Sequence, residues 1–164
     1  MPEQRTIIMG LGNPILGDDG IGWSIAESLR EEIHDPHITI SCLARGGLYL
    51  MERLVGYDRA ILIDATIARE GEPGEISVVP LEELTVHPVR YTLSVHDTSL
   101  PMAVEMGRQV GLDLPRSITA ILISTQDIDT FTTVISSPLL AAVPKVKKIV
   151  RDLLKAKEPL PVIP

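Results

Sequence analysis

The sequence predicts an α/β fold: a three-layer α/β/α sandwich around a largely parallel, twisted sheet. Two observations carry that prediction. Short apolar runs rich in β-branched residues alternate along the chain with segments whose apolar residues recur at helical spacing. The first of these runs also passes through a glycine-punctuated turn directly into such a segment, as a strand–turn–helix unit requires. The 164 residues suit one domain, placed at 1–158, followed by a Pro-rich tail at 159–164. No internal repeat, linker or low-complexity block interrupts it.

Residues 6–9 read as the first strand, and residues 19–33 as a helix with Ile21, Ile25, Ala26, Leu29 and Ile33 on one side. Residues 38–43 form the next strand and 48–55 a short helix. Residues 60–63 make the most apolar strand, which ends on Asp64. Glu72-Pro73-Gly74-Glu75 is a turn, with a strand at 76–79 behind it. Residues 91–95 are extended and lead to His96; Thr98 or Ser99 caps the next helix, with Pro101 in its first turn and Leu100, Ala103, Val104 and Met106 inward. Residues 117–124 are another buried strand. The last helix starts near Ser137-Pro138 and runs to about residue 156, with Pro144 expected to kink or divide it.

Composition narrows the function. The chain is 45% hydrophobic, and none of its apolar runs approaches a membrane span. Its start, Met1-Pro2-Glu3-Gln4-Arg5, lacks the pattern of a signal peptide, which points to the cytoplasm. A net charge of −7 and scarce aromatics argue against nucleic acid. The one basic cluster, from Lys145 to Lys157, reads as a solvated helix face. The single Cys42 excludes an internal disulfide and a thiolate metal site, and its apolar neighbours make it a core residue.

The chemistry concentrates in Gly10-Leu11-Gly12-Asn13-Pro14-Ile15-Leu16-Gly17-Asp18-Asp19-Gly20-Ile21-Gly22. Ile15 stands where the third glycine of a dinucleotide fingerprint belongs, and no acid ends the second strand, so nicotinamide binding is not indicated. One acid of the Asp18-Asp19 pair is explained by capping, and Asp18 reads as a turn or N-cap residue. A second acid at the same helix start needs another reason. Asp64 closes an apolar run, where a carboxylate is costly unless paired or liganded. His96 is followed by Asp97, which can orient its ring. In a parallel sheet these residues converge at the carboxyl ends of the strands, where such folds bind ligands. Two carboxylates and an imidazole suit nickel or zinc, and three ligands leave a coordination position open. His34, His37 and His87 read as surface residues, and Asp127 and Asp129 as loop residues on the same edge.

In order and spacing, Gly10-Leu11-Gly12-Asn13 with Asp18-Asp19-Gly20-Ile21-Gly22, Gly46-Gly47, Leu62-Ile63-Asp64-Ala65 with Pro73-Gly74, and His96-Asp97-Thr98-Ser99-Leu100 resemble the hydrogenase maturation endopeptidases. The resemblance covers nearly the whole chain and implies a phosphorylase/hydrolase-like sandwich. It also implies a single cut that removes the C-terminal extension of the nickel-iron hydrogenase large-subunit precursor after nickel insertion. The family's metal-binding and catalytic triad falls on Asp19, Asp64 and His96. The metal is then nickel presented by the substrate, with zinc as another divalent candidate, and Gly46 and Gly47 become candidate substrate contacts. The family often has glutamate at the position of Asp19, and threonine or alanine near its second glycine motif, where this chain reads Arg45-Gly46-Gly47-Leu48. Two other readings are a nickel-sensing chaperone that does not cut and a peptidyl-tRNA hydrolase-like enzyme, which shares Gly10-Leu11-Gly12-Asn13-Pro14. The latter family carries a catalytic histidine where this chain has Asp18-Asp19-Gly20.

Overall fold

A computed structural model of the chain describes residues 3–67, 71–86 and 99–156. Among these residues, five strands form one sheet in the order β2-β1-β3-β5-β4. They are β1 (Thr6–Leu11), β2 (Ile38–Leu43), β3 (Arg59–Ile67), β4 (Ile76–Pro80) and β5 (Ser117–Thr125). Of these five, β1, β2, β3 and β5 are mutually parallel, and β4, at the end of that order, runs antiparallel to β5.

Alternation along β1 and β3 sends successive side chains to opposite faces, and each face builds its own core. Ile7, Met9, Leu11, Ala60 and Leu62 share a cluster with residues of α2 (Gly47–Leu54), α3 (Leu81–Val86) and α4 (Leu100–Gln109). Ile8, Ile61 and Ile63 pack on the other side with α1 (Ile21–Glu32) and α5 (Ser137–Lys155). This is the expected three-layer sandwich. α1 and α5 are also joined electrostatically: the Lys147 ammonium donates to Glu32 at 2.6 Å, and Arg151 pairs with the same carboxylate. Part of the basic cluster expected to be a solvated face therefore ties two helices together.

Several boundaries differ from the sequence reading. α1 starts at Ile21, because Asp18 and Asp19 lie in a preceding 3₁₀ turn, Gly17–Gly20. β3 continues past Asp64 to Ile67, since β5 supplies a partner for every further residue. α3 follows Pro80 directly and has no counterpart in the sequence pattern. On α4 the buried positions are Leu100, Ala103, Val104 and Gly107, while Met106 is exposed; Ser99 occupies the N-cap position without a side-chain capping hydrogen bond. α5 runs undivided through Pro144, an exposed position where the carbonyl left without a helical partner can face water. Cys42 is half-buried, not core, because β2 is an edge strand. The expectations for His96, the extended run before it and the Pro-rich tail fall outside the described residues.

Candidate active site

From β1 the chain moves to β2 on one side, and the strands that follow lie on the other. The crevice between β1 and β3 is therefore the topological switch point, and ligands of open α/β sheets bind beyond its carboxyl end. β1 pairs with β3 only as far as Gly10 opposite Ile63. Asp64 is thus the first β3 residue with no β1 partner, and on its other side it is paired with Leu122 of β5.

The turn after β1 brings Asp19 back toward this crevice. Asn13 makes the bend: its side-chain oxygen accepts from the Ile15 N–H at 3.2 Å and its carbonyl from the Leu16 N–H at 3.1 Å. The Asp19 carboxylate then accepts from the Asn13 N–H at 2.8 Å, which closes the loop. Such a tight return is possible because Gly12 has a φ of 119° and no side chain; a Cβ there would lie 1.8 Å from the Asp19 carbonyl oxygen.

The electrostatics mark the two acids as a pair. Burial is the main cause that pushes the Asp64 carboxyl up to about 8; the negative charge of Asp19 adds to the rise, and the Ala65 N–H opposes it. Asp19 is raised as well, first by burial, against the Asn13 hydrogen bond, and further by the charge of Asp129. Asp129 lies in an exposed segment after β5 and extends the negative field of the site. Its place on this edge is legible in the sequence, but its field is not. Among the described residues no group of three or more His, Cys, Asp or Glu side chains is arranged to hold a metal. The two acids alone repel each other, and a cation placed between them would relieve that repulsion.

Asp18 lies in the turn, one of the two places expected of it, and its side chain does not cap α1. One of its oxygens accepts from the Ser136 N–H at 2.7 Å, and the other from the Thr125 hydroxyl at 2.7 Å and the Ser136 hydroxyl at 2.9 Å. It binds the turn to the end of β5 and to the N-cap of α5, and no side chain caps α1. Asp127 is a loop residue, as expected: its carboxylate accepts from the N–H groups of Asp129 and Thr130 and from the Thr130 hydroxyl. Gly46 and Gly47 start α2 on the same sheet edge, with Gly47 at a φ of 57°. The Arg45 guanidinium lies 5.2 Å from the centre of the Tyr49 ring.

Comparison with known proteins agrees with the fold. The chain is 27% identical over 145 residues to the hydrogenase expression/formation protein HupD of Rhizobium leguminosarum bv. viciae, an alignment covering 87% of this chain and 70% of that protein. It is 25% identical over 128 residues to the hydrogenase 2 maturation protease of Escherichia coli K12, covering 76% of each. Among solved structures, the maturating endopeptidase HybD of E. coli shares the fold with a TM-score of 0.74 at 22% identity, over 92% of this chain and 93% of that one. The maturation protease HycI of Thermococcus kodakarensis gives a TM-score of 0.69 at 24% identity, covering 93% and 94%. These similarities displace the peptidyl-tRNA hydrolase reading. The family model HycI, hydrogenase maturation protease, matches residues 5–153, and with that span the chain belongs to the hydrogenase maturation protease family.

Proposed function

We propose that this protein removes the C-terminal extension from the large-subunit precursor of a nickel-iron hydrogenase after nickel has been inserted, and that it works in the cytoplasm. The observation that carries the reading is the partly buried pair Asp19 and Asp64 at the switch point, with both carboxyls raised. Together with His96, the resemblance to the family makes them a triad that reads nickel already held by the substrate. A nickel ion approaching between the acids offsets their repulsion, so a loaded precursor is preferred to an empty one. Gly46 and Gly47, at the start of α2 on the same edge, are the contacts this reading assigns to the substrate chain.

Cleavage is a hydrolysis: a water oxygen forms a bond to the scissile carbonyl carbon, the C–N bond breaks, and the leaving nitrogen gains a proton. Two carboxyls with raised affinity for protons share the proton traffic, one accepting from water and the other donating to the nitrogen. The intact mass of a nickel-loaded cognate precursor, before and after incubation with trace protein, tests the reading. Loss of one defined C-terminal peptide, absent with nickel-free precursor, is the expected result. An unchanged mass with binding of the loaded precursor identifies a nickel-sensing chaperone instead, and zinc-loaded precursor shows whether the metal identity matters.

A further inference from the structure

The segment between β5 and α5, residues 126–136, is fastened along its length. The Asp127 carboxylate accepts from the N–H groups of Asp129 and Thr130, the Thr132 hydroxyl from the Val134 N–H, and the Asp18 carboxylate from the Ser136 N–H. In its middle, Thr132 bridges to the turn after β1: its N–H donates to the Ile15 carbonyl at 3.0 Å, and its carbonyl accepts from the Gly17 N–H at 2.7 Å. Ile128 and Ile135 pack against the core shared by α1 and α5. Phe131, the single phenylalanine of the chain, is nevertheless 80% exposed, and Val134 is exposed as well. An exposed phenylalanine forfeits the stabilisation that its burial would bring. One such side chain is ordinary on a surface, whereas several gathered at one place mark a contact.

Here they gather beside the reactive turn. Because the Thr132 N–H binds the Ile15 carbonyl, Phe131 and Ile15 leave adjoining stretches of backbone, and Ile15 is itself exposed. Pro14 is exposed too, and its Cα lies so near Gly20 that a Cβ on that glycine would approach it to 2.8 Å. Gly20 follows Asp19, and Asn13, whose N–H holds the Asp19 carboxylate, precedes Pro14. Asp129, two residues before Phe131, is near enough for its charge to act on Asp19. Resting on the precursor-processing reading above, we infer that Pro14, Ile15 and Phe131 form a docking rim for an apolar segment of the hydrogenase large-subunit precursor, beside the bond that is cut. A protein whose chain reaches Asp19 and Asp64 brings its neighbouring residues onto the surface around them. The surface on this side is apolar and already fastened, so little ordering is needed on binding. Phe131 is a specificity-determining residue: it holds the precursor and takes no part in the proton transfers.

Steady-state cleavage of the nickel-loaded precursor by the full chain tests this. Phe131→Ala should raise KM about tenfold with kcat close to parental, the signature of lost binding shared by ground and transition states. Its melting temperature should stay within about two degrees of the parent's, because truncating an exposed ring leaves no cavity. Phe131→Leu should recover most of the affinity, and Ile15→Ser should raise KM in the same direction. A parental KM in Phe131→Ala overturns the inference, while cleavage by the parent leaves the processing reading standing. A fall in kcat or in melting temperature with KM unmoved gives Phe131 another role and overturns it too. Light scattering of the free protein checks the rival occupant: a parent dimer that Phe131→Ala turns into a monomer assigns the rim to a second copy and overturns the inference. If the parent binds the loaded precursor without cutting it, the dissociation constant takes the place of KM, and the same tenfold weakening is expected. A parent that neither binds nor cuts ends the processing reading and this inference with it.

Discussion

Asp18 and Asp19 are neighbours in one 3₁₀ turn, yet they serve two regions that differ in kind. On the β5–α5 side, the Asp18 carboxylate accepts three hydrogen bonds, from Ser136 and Thr125. On the β1–β3 side, Asp19 accepts one among the described residues, from the Asn13 N–H, and feels the charge of a second acid. A saturated carboxylate is a fastening. One that is under-bonded, desolvated and set against a like charge is poised for a cation or a proton. Hydrogen-bond satisfaction, more than sequence position, separates structural acids from reactive ones here.

The sharpest way to break this contrast is at Asp64. Asp64→Asn keeps the shape and removes the proton acceptor, so kcat for precursor cleavage should fall about a thousandfold. The same change should stabilise the free protein. A carboxyl raised from 3.8 to about 8 contributes stability that is fully present below its unfolded value and is lost as pH rises through about 8. Thermal unfolding at pH 9 should then favour the Asp64→Asn variant over the parent by about 2 kcal/mol, with allowance for partial exposure, and by nothing near pH 3. A variant less stable at pH 9 would make Asp64 a structural residue.

Gly12→Ala tests the turn that sets Asp19. The added methyl meets the Asp19 carbonyl at a φ of 119°, and a loss of about 3 kcal/mol in urea unfolding is expected. On the fastened side, Asp18→Ala strands the Ser136 N–H and should cost about 2 kcal/mol. Asp18→Asn retains one acceptor oxygen and should cost about 1 kcal/mol with cleavage close to parental. The smallest effect is a titration shift: Asp19→Asn removes a negative neighbour, so the Asp64 carboxyl followed by NMR should titrate at lower pH than in the parent. An unmoved titration would mean that the acids do not sense each other.

Much of this is legible in the chain. Apolar β-branched runs and helical spacing locate β1, β5 and α5 to within a residue or two, because each buries a continuous apolar face, and they locate the half-buried β2 as closely. The glycine turn, the acid pair and Asp64 mark the site, because carboxylates beside apolar runs demand an explanation. The missing parts depend on distant partners. Asp18 reads only as a local turn or N-cap residue because the groups that donate to it, Thr125 and Ser136, are more than a hundred residues away in sequence. Asp64 reads as a strand end because only the register with β5 reveals that β3 continues. Asp129 acts through charge rather than contact.

The most direct measurement is single-turnover cleavage of the nickel-loaded precursor by three folded variants side by side: Asp18→Asn, Asp19→Asn and Asp64→Asn. Near-parental cleavage is expected from the first, and losses of at least about a hundredfold from the other two. An Asp18→Asn variant that cannot cut, beside an Asp19→Asn variant that can, would contradict this assignment and move the reactive acid to the other side of the turn.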